Sequence, residues 1–475
     1  MSHTSSTNVI DGTVDAFILN SAEVQSAGAV SVTADDKADV SATIVSVSLA
    51  VGLVGIAIGI SLADNTVEDD VSASIGGSSV TAGAGDIEIT ANDVPTITTK
   101  SVVLALAAGP GVTTGAGAKS VVTIDGTTAA NVDASTLSAV GHRVLVSADS
   151  TATADPSTTS VALALGEGVA ISVLTSTATI AGATEATVTG ASAITADGID
   201  VLATAVNIAE PKVNVAAAGF AAGAVVISSS TISRATDAFV GDGASISAGS
   251  GTVTVLAETD SRAHGQSTGT TLGGAGLTVM RIDSTISGDT TAGIGAQGAV
   301  HAGAVTVSAQ STSKVDGSTV GLSLAGIVNV TAVELDATIS GKTTANIGAQ
   351  SSVDAASLSV LAAANNTADA DVFAFSASFG VGATGVKARA EITKDAVTEA
   401  GVGADAQITL SGALNVNATA HNNAEASTRG GSGGVFAAVS AMLPEAHVGA
   451  ATRATMDGDV LAASNVSVTA NGANT

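Results

Sequence analysis

The chain has 475 residues and a formal net charge of −27, from 42 acidic and 15 basic side chains. That balance leaves no clustered Lys and Arg for phosphate recognition, so nucleic acid is not an expected partner. Hydrophobic residues make up 45% of the chain but aromatics only 1%, all of them among seven Phe, so the core has to be built from Val, Ile, Leu and Ala.

Residues 1–29 hold the end of an incomplete first repeat, and Met1 to Thr7 lacks the basic start and apolar run of an export leader. From there a segment of the form apolar-x-apolar-x-Ala returns nine times, starting at Val30, Ile87, Val144, Ile199, Val253, Val305, Leu358, Leu414 and Val466. The spacing is 52 to 57 residues throughout. A period this regular means that one supersecondary unit is stacked on copies of itself. The division is one continuous repeat domain over 1–475, with eight full repeats over 30–465 and the start of a further one at 466–475.

About 12 residues before each anchor lies an Ala-x-apolar signature, at Ala16, Ala73, Ala130, Ala186, Ala238, Ala292, Ala345, Ala400 and Ala454. A position that is Ala in every copy is expected to face a neighbour so closely that only a methyl fits. Replacing Ala292 should therefore be costly, whereas Thr290, two residues earlier, reads as tolerant. Between the signatures and the next anchor, steps such as Ser79-Val80-Thr81-Ala82-Gly83 read as a short strand ending in a turn.

The middle of each repeat is very apolar. Segments such as Ser160-Val161-Ala162-Leu163-Ala164-Leu165 alternate with period 2, which predicts strands despite the abundance of Ala. Val40 to Ala63 carries no charge and is long enough to span a bilayer, but its alternation points to a buried strand pair, not a membrane span. Strands apolar on both faces are expected to be covered on both, inside the coil or by another chain. Together these features predict an all-β fold, a β-solenoid of eight to nine repeats of roughly 55 residues in wide stacked coils.

The runs Thr290-Thr291-Ala292-Gly293-Ile294-Gly295-Ala296 with Val305-Thr306-Val307-Ser308-Ala309, and Thr343-Thr344-Ala345-Asn346-Ile347-Gly348-Ala349 with Leu358-Ser359-Val360-Leu361-Ala362, resemble the long repeat regions of bacterial filamentous adhesins of the leukotoxin and haemagglutinin type. The resemblance covers nearly the whole chain and implies a secreted or surface-attached β-helical fibre with no enzymatic site in the repeats. No secretion domain, anchor or receptor-binding insert accompanies it here.

One polar column stands out by counting back from the Ala signatures. It holds Asp64, Asp283, Asp336, Glu391 and Glu445, with Thr177 and Ser229 at the same offset in two other copies. Stacked carboxylates repel one another and invite a cation, which makes the column a candidate Ca²⁺ site beside the alternative of a solvated outer face. The six His are scattered without metal-ligand spacing, and the chain has no Trp or Tyr to stack on sugars, so no catalytic residue is assigned.

The expected function is a structural, self-associating β-solenoid of a bacterial or archaeal cell surface or matrix. Its partners are other copies, head-to-tail with lateral contacts in addition, or a surface receptor. An adhesin stalk is the alternative, and an ice- or polysaccharide-binding β-helix a lesser one.

Overall fold

The computed structural model describes residues 1–21 and 23–475. About four-fifths of the described residues lie in strands and none of them in a helix. All pairings between neighbouring coils are parallel, as in Val30–Asp36 on Ile87–Asp93 and Thr96–Ala108 on Thr136–Leu165. The fold is the expected β-solenoid with wide coils, one per repeat.

The register makes this unambiguous. Val30 pairs with Ile87, Ile87 with Val144, and so on through Ile199, Val253, Val305, Leu358 and Leu414 to Val466. The signature alanines likewise stack from Ala16 to Ala454. At a strand spacing near 4.8 Å the stack is about 40 Å long.

One coil illustrates them all. It runs through an anchor strand (Val30–Asp36), an outbound strand (Asp39–Val51), a turn, a return strand (Ile56–Val67), an alanine strand (Asp70–Gly76) and a short strand (Ser79–Ala82). The alanine strands form a nine-stranded sheet of their own. In later coils the anchor and outbound strands fuse, as in Thr136–Leu165.

Two separate cores result. Anchor, alanine and short strands enclose a head filled by residues such as Ile87, Ile89, Val132, Leu137 and the alanine ladder. Outbound and return strands pack face to face in a two-layered arm around Ile97, Ala105, Ala162, Leu174 and Val226. The corner after each of the first eight alanine strands has a left-handed residue, supplied by Asn20, Gly77, Ala134, Ala191, Gly243, Gln297, Gln350 and Asp405, with φ between 45° and 71°.

The alanine ladder is a packing constraint. Ala73 through Ala400 are fully buried, and only Ala16 and Ala454 near the ends of the stack are partly open. Thr290 is not the tolerant neighbour expected from the sequence. It is buried in a ladder with Thr128, Thr184, Thr236, Thr343 and Thr398, and its hydroxyl lies 3.0 Å from that of Thr259. The strand alternates, so residues two apart share a face.

Ala292→Leu is expected to destabilise the stack by about 1–3 kcal/mol through overpacking. Thr290→Val, which keeps the shape but removes the buried hydroxyl bond, should cost about 1 kcal/mol. Chemical denaturation of the two variants checks both, and silence at Ala292 would place that ladder outside the core.

Candidate functional site

The acidic column does not form as counted. The ladder through Asp64 reads Thr7, Asp64, Val121, Thr177, Ser229, Asp283, Asp336, Arg389 and Glu445. Glu391 lies one step further along the same face, between Thr338 and His447. The cause is a longer corner in this coil, where Thr393–Ala396 separates Ile392 from the alanine strand. Counting back from Ala400 therefore lands on Glu391 instead of Arg389.

Of the five acids only Asp283 and Asp336 are neighbours in the stack, and bases surround them. Arg281 Nε is 3.0 Å from Asp283, Lys387 Nζ is 2.9 Å from Glu334 and 3.8 Å from Asp336, and Arg389 is 2.6 Å from Glu391. The hydrogen bond from Lys387 holds the Glu334 carboxyl below its usual range, while burial pushes Asp336 up against the opposing pull of Lys387. The patch is an alternating ion-pair lattice, and among the described residues no group of three or more His, Asp or Glu is arranged to hold a metal ion. Added Ca²⁺ or a chelator is expected to leave the melting temperature unchanged, whereas a saturable rise with Ca²⁺ would show that a cation site exists.

A second row, not singled out from the sequence, crosses the coils where anchor and outbound strands meet. It links Asp155 to Lys212 (3.3 Å), Lys212 to Glu210 (3.4 Å), Glu210 to Arg262 (2.9 Å) and Arg262 to Asp316 (3.4 Å). Burial alone would raise the Asp316 carboxyl. The hydrogen bond and charge of His264, 2.8 Å away, together with Lys314 and Arg262, outweigh burial and hold it well below the ordinary carboxylate range. Beyond Asp316 the ladder continues into Asp369 and Glu425, and burial with these like charges raises Asp369.

Charge is also enclosed between the two cores. Arg234 is 1% exposed, at a corner that Gly126 and Gly182 occupy in the preceding coils. Its side chain reaches Ser150 Oγ, at 2.9 Å, and lies in the field of Asp93 and Asp125. Asp93 is 2% exposed, and among the described residues its carboxyl has one hydrogen-bond partner, Thr128, at 3.4 Å. Burial pushes the Asp93 carboxyl up to about 6, against the lowering field of Arg234 and with further raising by Asp36 and Asp69. Burial likewise lowers Arg234. A carboxyl raised from 3.8 to about 6 is protonated by the folded state first, so it weakens the fold above about pH 6 and ceases to do so as the pH falls toward 4.

Asp93→Asn is accordingly expected to be more stable than the wild type at pH 7.5, by up to roughly 3 kcal/mol, with the difference vanishing near pH 4. Paired pH–stability curves test the sign. A variant less stable at pH 7.5 would mean that the Arg234 attraction outweighs desolvation.

The largest departure from expectation is in the arm. Val40 to Ala63 does form a strand pair, but it is buried on the inner face only. Val45, Val47, Leu49, Val51, Ile56 and Leu62 point outward and are exposed. The same inversion holds along the stack: in Val161-Ala162-Leu163-Ala164-Leu165 the alanines face in and the larger residues out. The inner space is too narrow for more. A Cβ on Gly59 would stand 2.8 Å from Val103, and one on Gly269 would stand 3.0 Å from Met280 Sδ. Hydroxyls bridge the two layers at Ser61–Ser101 (2.7 Å), Ser160–Ser172 (3.2 Å) and Thr271–Thr278 (3.1 Å).

None of the seven Phe is buried. Phe220, Phe373, Phe375, Phe379 and Phe436 are exposed on the outer part of the arm, Phe379 at 77% and Phe436 at 84%, while Phe17 and Phe239 stand on the outer side of the alanine strands. Both faces and the tip of the arm thus carry large apolar side chains in water. Soluble monomers rarely expose contiguous apolar patches of more than a few hundred Å².

Compared with family models, curated proteins and solved structures, the chain has no match in any of the three.

Proposed function

We propose that the chain is a structural, self-associating protein whose apolar arm is its assembly surface, and that it works at a cell surface or in an extracellular matrix. The observation that carries this reading is the inverted arm. A fold that turns many of its Leu, Ile, Val and Phe outward, over an inner face rich in Ala and Ser, gains from those outward side chains only when another surface covers them.

The regular stack supports a scaffold role. Each coil presents the same outline to its surroundings, so contacts repeat along the axis at the strand spacing and add up. The ion-pair rows occupy the inner end of the arm and the junction with the head, leaving the outer part of the arm almost free of charge. Acidic side chains elsewhere keep such a surface soluble until it meets its partner. The resemblance to filamentous adhesin repeats agrees with a surface fibre, and the position of the chain in a longer adhesin stalk is the variant of this reading that shares the same arm.

The purified chain is expected to associate in a concentration-dependent way, with larger species in sedimentation velocity and fibres or clusters in electron micrographs. Raised salt should not dissolve them, because apolar contacts are not screened. Single stacks at every concentration and ionic strength would overturn the proposal.

A further inference from the structure

The two faces of the arm differ in relief. On the return face the outward ladder reads Ile58, Gly115, Ile171, Gly223 and Leu277 through five successive coils. The ladder beside it reads Ile60, Gly117, Val173, Val225 and Val279, with one glycine only. On the first ladder, from Ile58 to Leu277, large and absent side chains therefore alternate from coil to coil, and beyond Leu277 the next coil again carries a large residue, Val330. Ridges stand at every second coil, about 9.6 Å apart, with glycine-floored grooves between them. The ridges are open to solvent, Ile171 at 47% and Leu277 at 45%.

A partner that fits this relief needs apolar ridges at the same double spacing. A parallel β-stack has that spacing by construction, and this chain carries both the ridges and the grooves. The uncharged outward part of the face covers three outward positions, two residues apart and about 20 Å along the strand, over eight coils, on the order of 800 Å², the area one side of a stable protein interface buries. A lipid surface is fluid and gains nothing from the relief. The basic and acidic side chains Lys119, Arg281, Glu334 and Lys387 in the next outward row would also meet the headgroups at a shallow depth.

We propose that the return face of the arm docks on the return face of a second copy, displaced by one coil so that the Ile58, Ile171 and Leu277 ridges enter the grooves floored by Gly115 and Gly223. This rests on the reading of the arm as an assembly surface and adds which face pairs and how. The opposite face, with Leu104, Val161 and Phe375 on one ladder run, has no such alternation and is not part of this contact.

The test fills the grooves. A Cβ at Gly115 would lie 3.6 Å from Ile58 and one at Gly223 4.0 Å from Ile171, ordinary contact distances, so the double variant Gly115→Leu, Gly223→Leu leaves its own coil unstrained. It adds apolar surface while removing the fit. Sedimentation equilibrium on the full chain should show pairing weakened at least about tenfold, with unchanged circular dichroism and melting. Ile171→Ser with Leu277→Ser should weaken it as well, and Phe375→Ser should leave it intact. The milder Gly115→Ala, Gly223→Ala pair, expected to weaken pairing less, serves if the leucine variant does not fold.

Stronger association of the leucine variant would overturn ridge-in-groove docking while leaving the arm as the sticky surface. Loss of pairing in Phe375→Ser alone would move the contact to the other face, with the same consequence. A wild-type chain that stays single but sediments with phosphatidylcholine vesicles would overturn the docking and the self-association reading together, in favour of a lipid surface. Single stacks that ignore vesicles would overturn both as well.

Discussion

In-register parallel stacking sets every ladder residue about 4.8 Å from its own equivalent in the next coil, and almost every other feature follows from that neighbourhood. A choice of residue is made against itself. Alanine repeated on alanine gives the fully buried ladder from Ala73 to Ala400. Asparagine repeated on asparagine gives an amide chain, with Asn366 donating to Asn422 and Asn422 to Asn474 at 2.9 Å each. Serine repeated at the corner gives a staircase in which the amides of Ser21, Ser78 and Ser135 each bond the hydroxyl one coil on. Carboxylates are the residues that suffer from the rule, since like charges at that distance repel. The chain answers by alternating sign, as in Asp336, Arg389, Glu445, or by stepping an acid sideways toward a base, as with Glu391 and Arg389.

The head was readable from the sequence because its signal has two independent parts that keep step. Anchors and alanine signatures share a period, and both alternate with period 2, so the wide coil was expected and the pairing from Val30 to Val466 follows it. Positions near the corners were less secure. The longer corner at Thr393–Ala396 moves Glu391 off the Asp336 ladder, and an offset counted along the chain cannot see which side of a strand has absorbed an insertion. Arg234 left no trace at all. It is a single basic residue at a corner that otherwise favours glycine, and its role depends on Asp93, 141 positions earlier, which only the stack brings near.

The arm resisted sequence reading for a different reason. Where both faces of a strand are apolar, polarity does not say which face is inside, and size decides. Val161, Leu163 and Leu165 against Ala162 and Ala164 is such a case. In later coils the outbound glycines Gly265, Gly269, Gly317 and Gly321 sit against Ile282, Met280, Leu335 and Val333 of the return strands. They draw the two layers so close that a leucine facing inward at every step could not be accommodated.

That choice of face has an energetic meaning. Slipping a strand by one residue would turn each outward Leu, Ile or Val inward, and widening the arm would make room for it. Burying one such side chain is worth about 1.5–3 kcal/mol, and the arm repeats the opportunity in nearly every coil. The same slip would turn the inward Ile97, Leu174, Val226 and Leu335 out to water, so the outward side chains gain most from a covering surface that leaves the register in place. On the proposed reading of the arm as an assembly surface, what covers the outward side chains is a second copy of the chain.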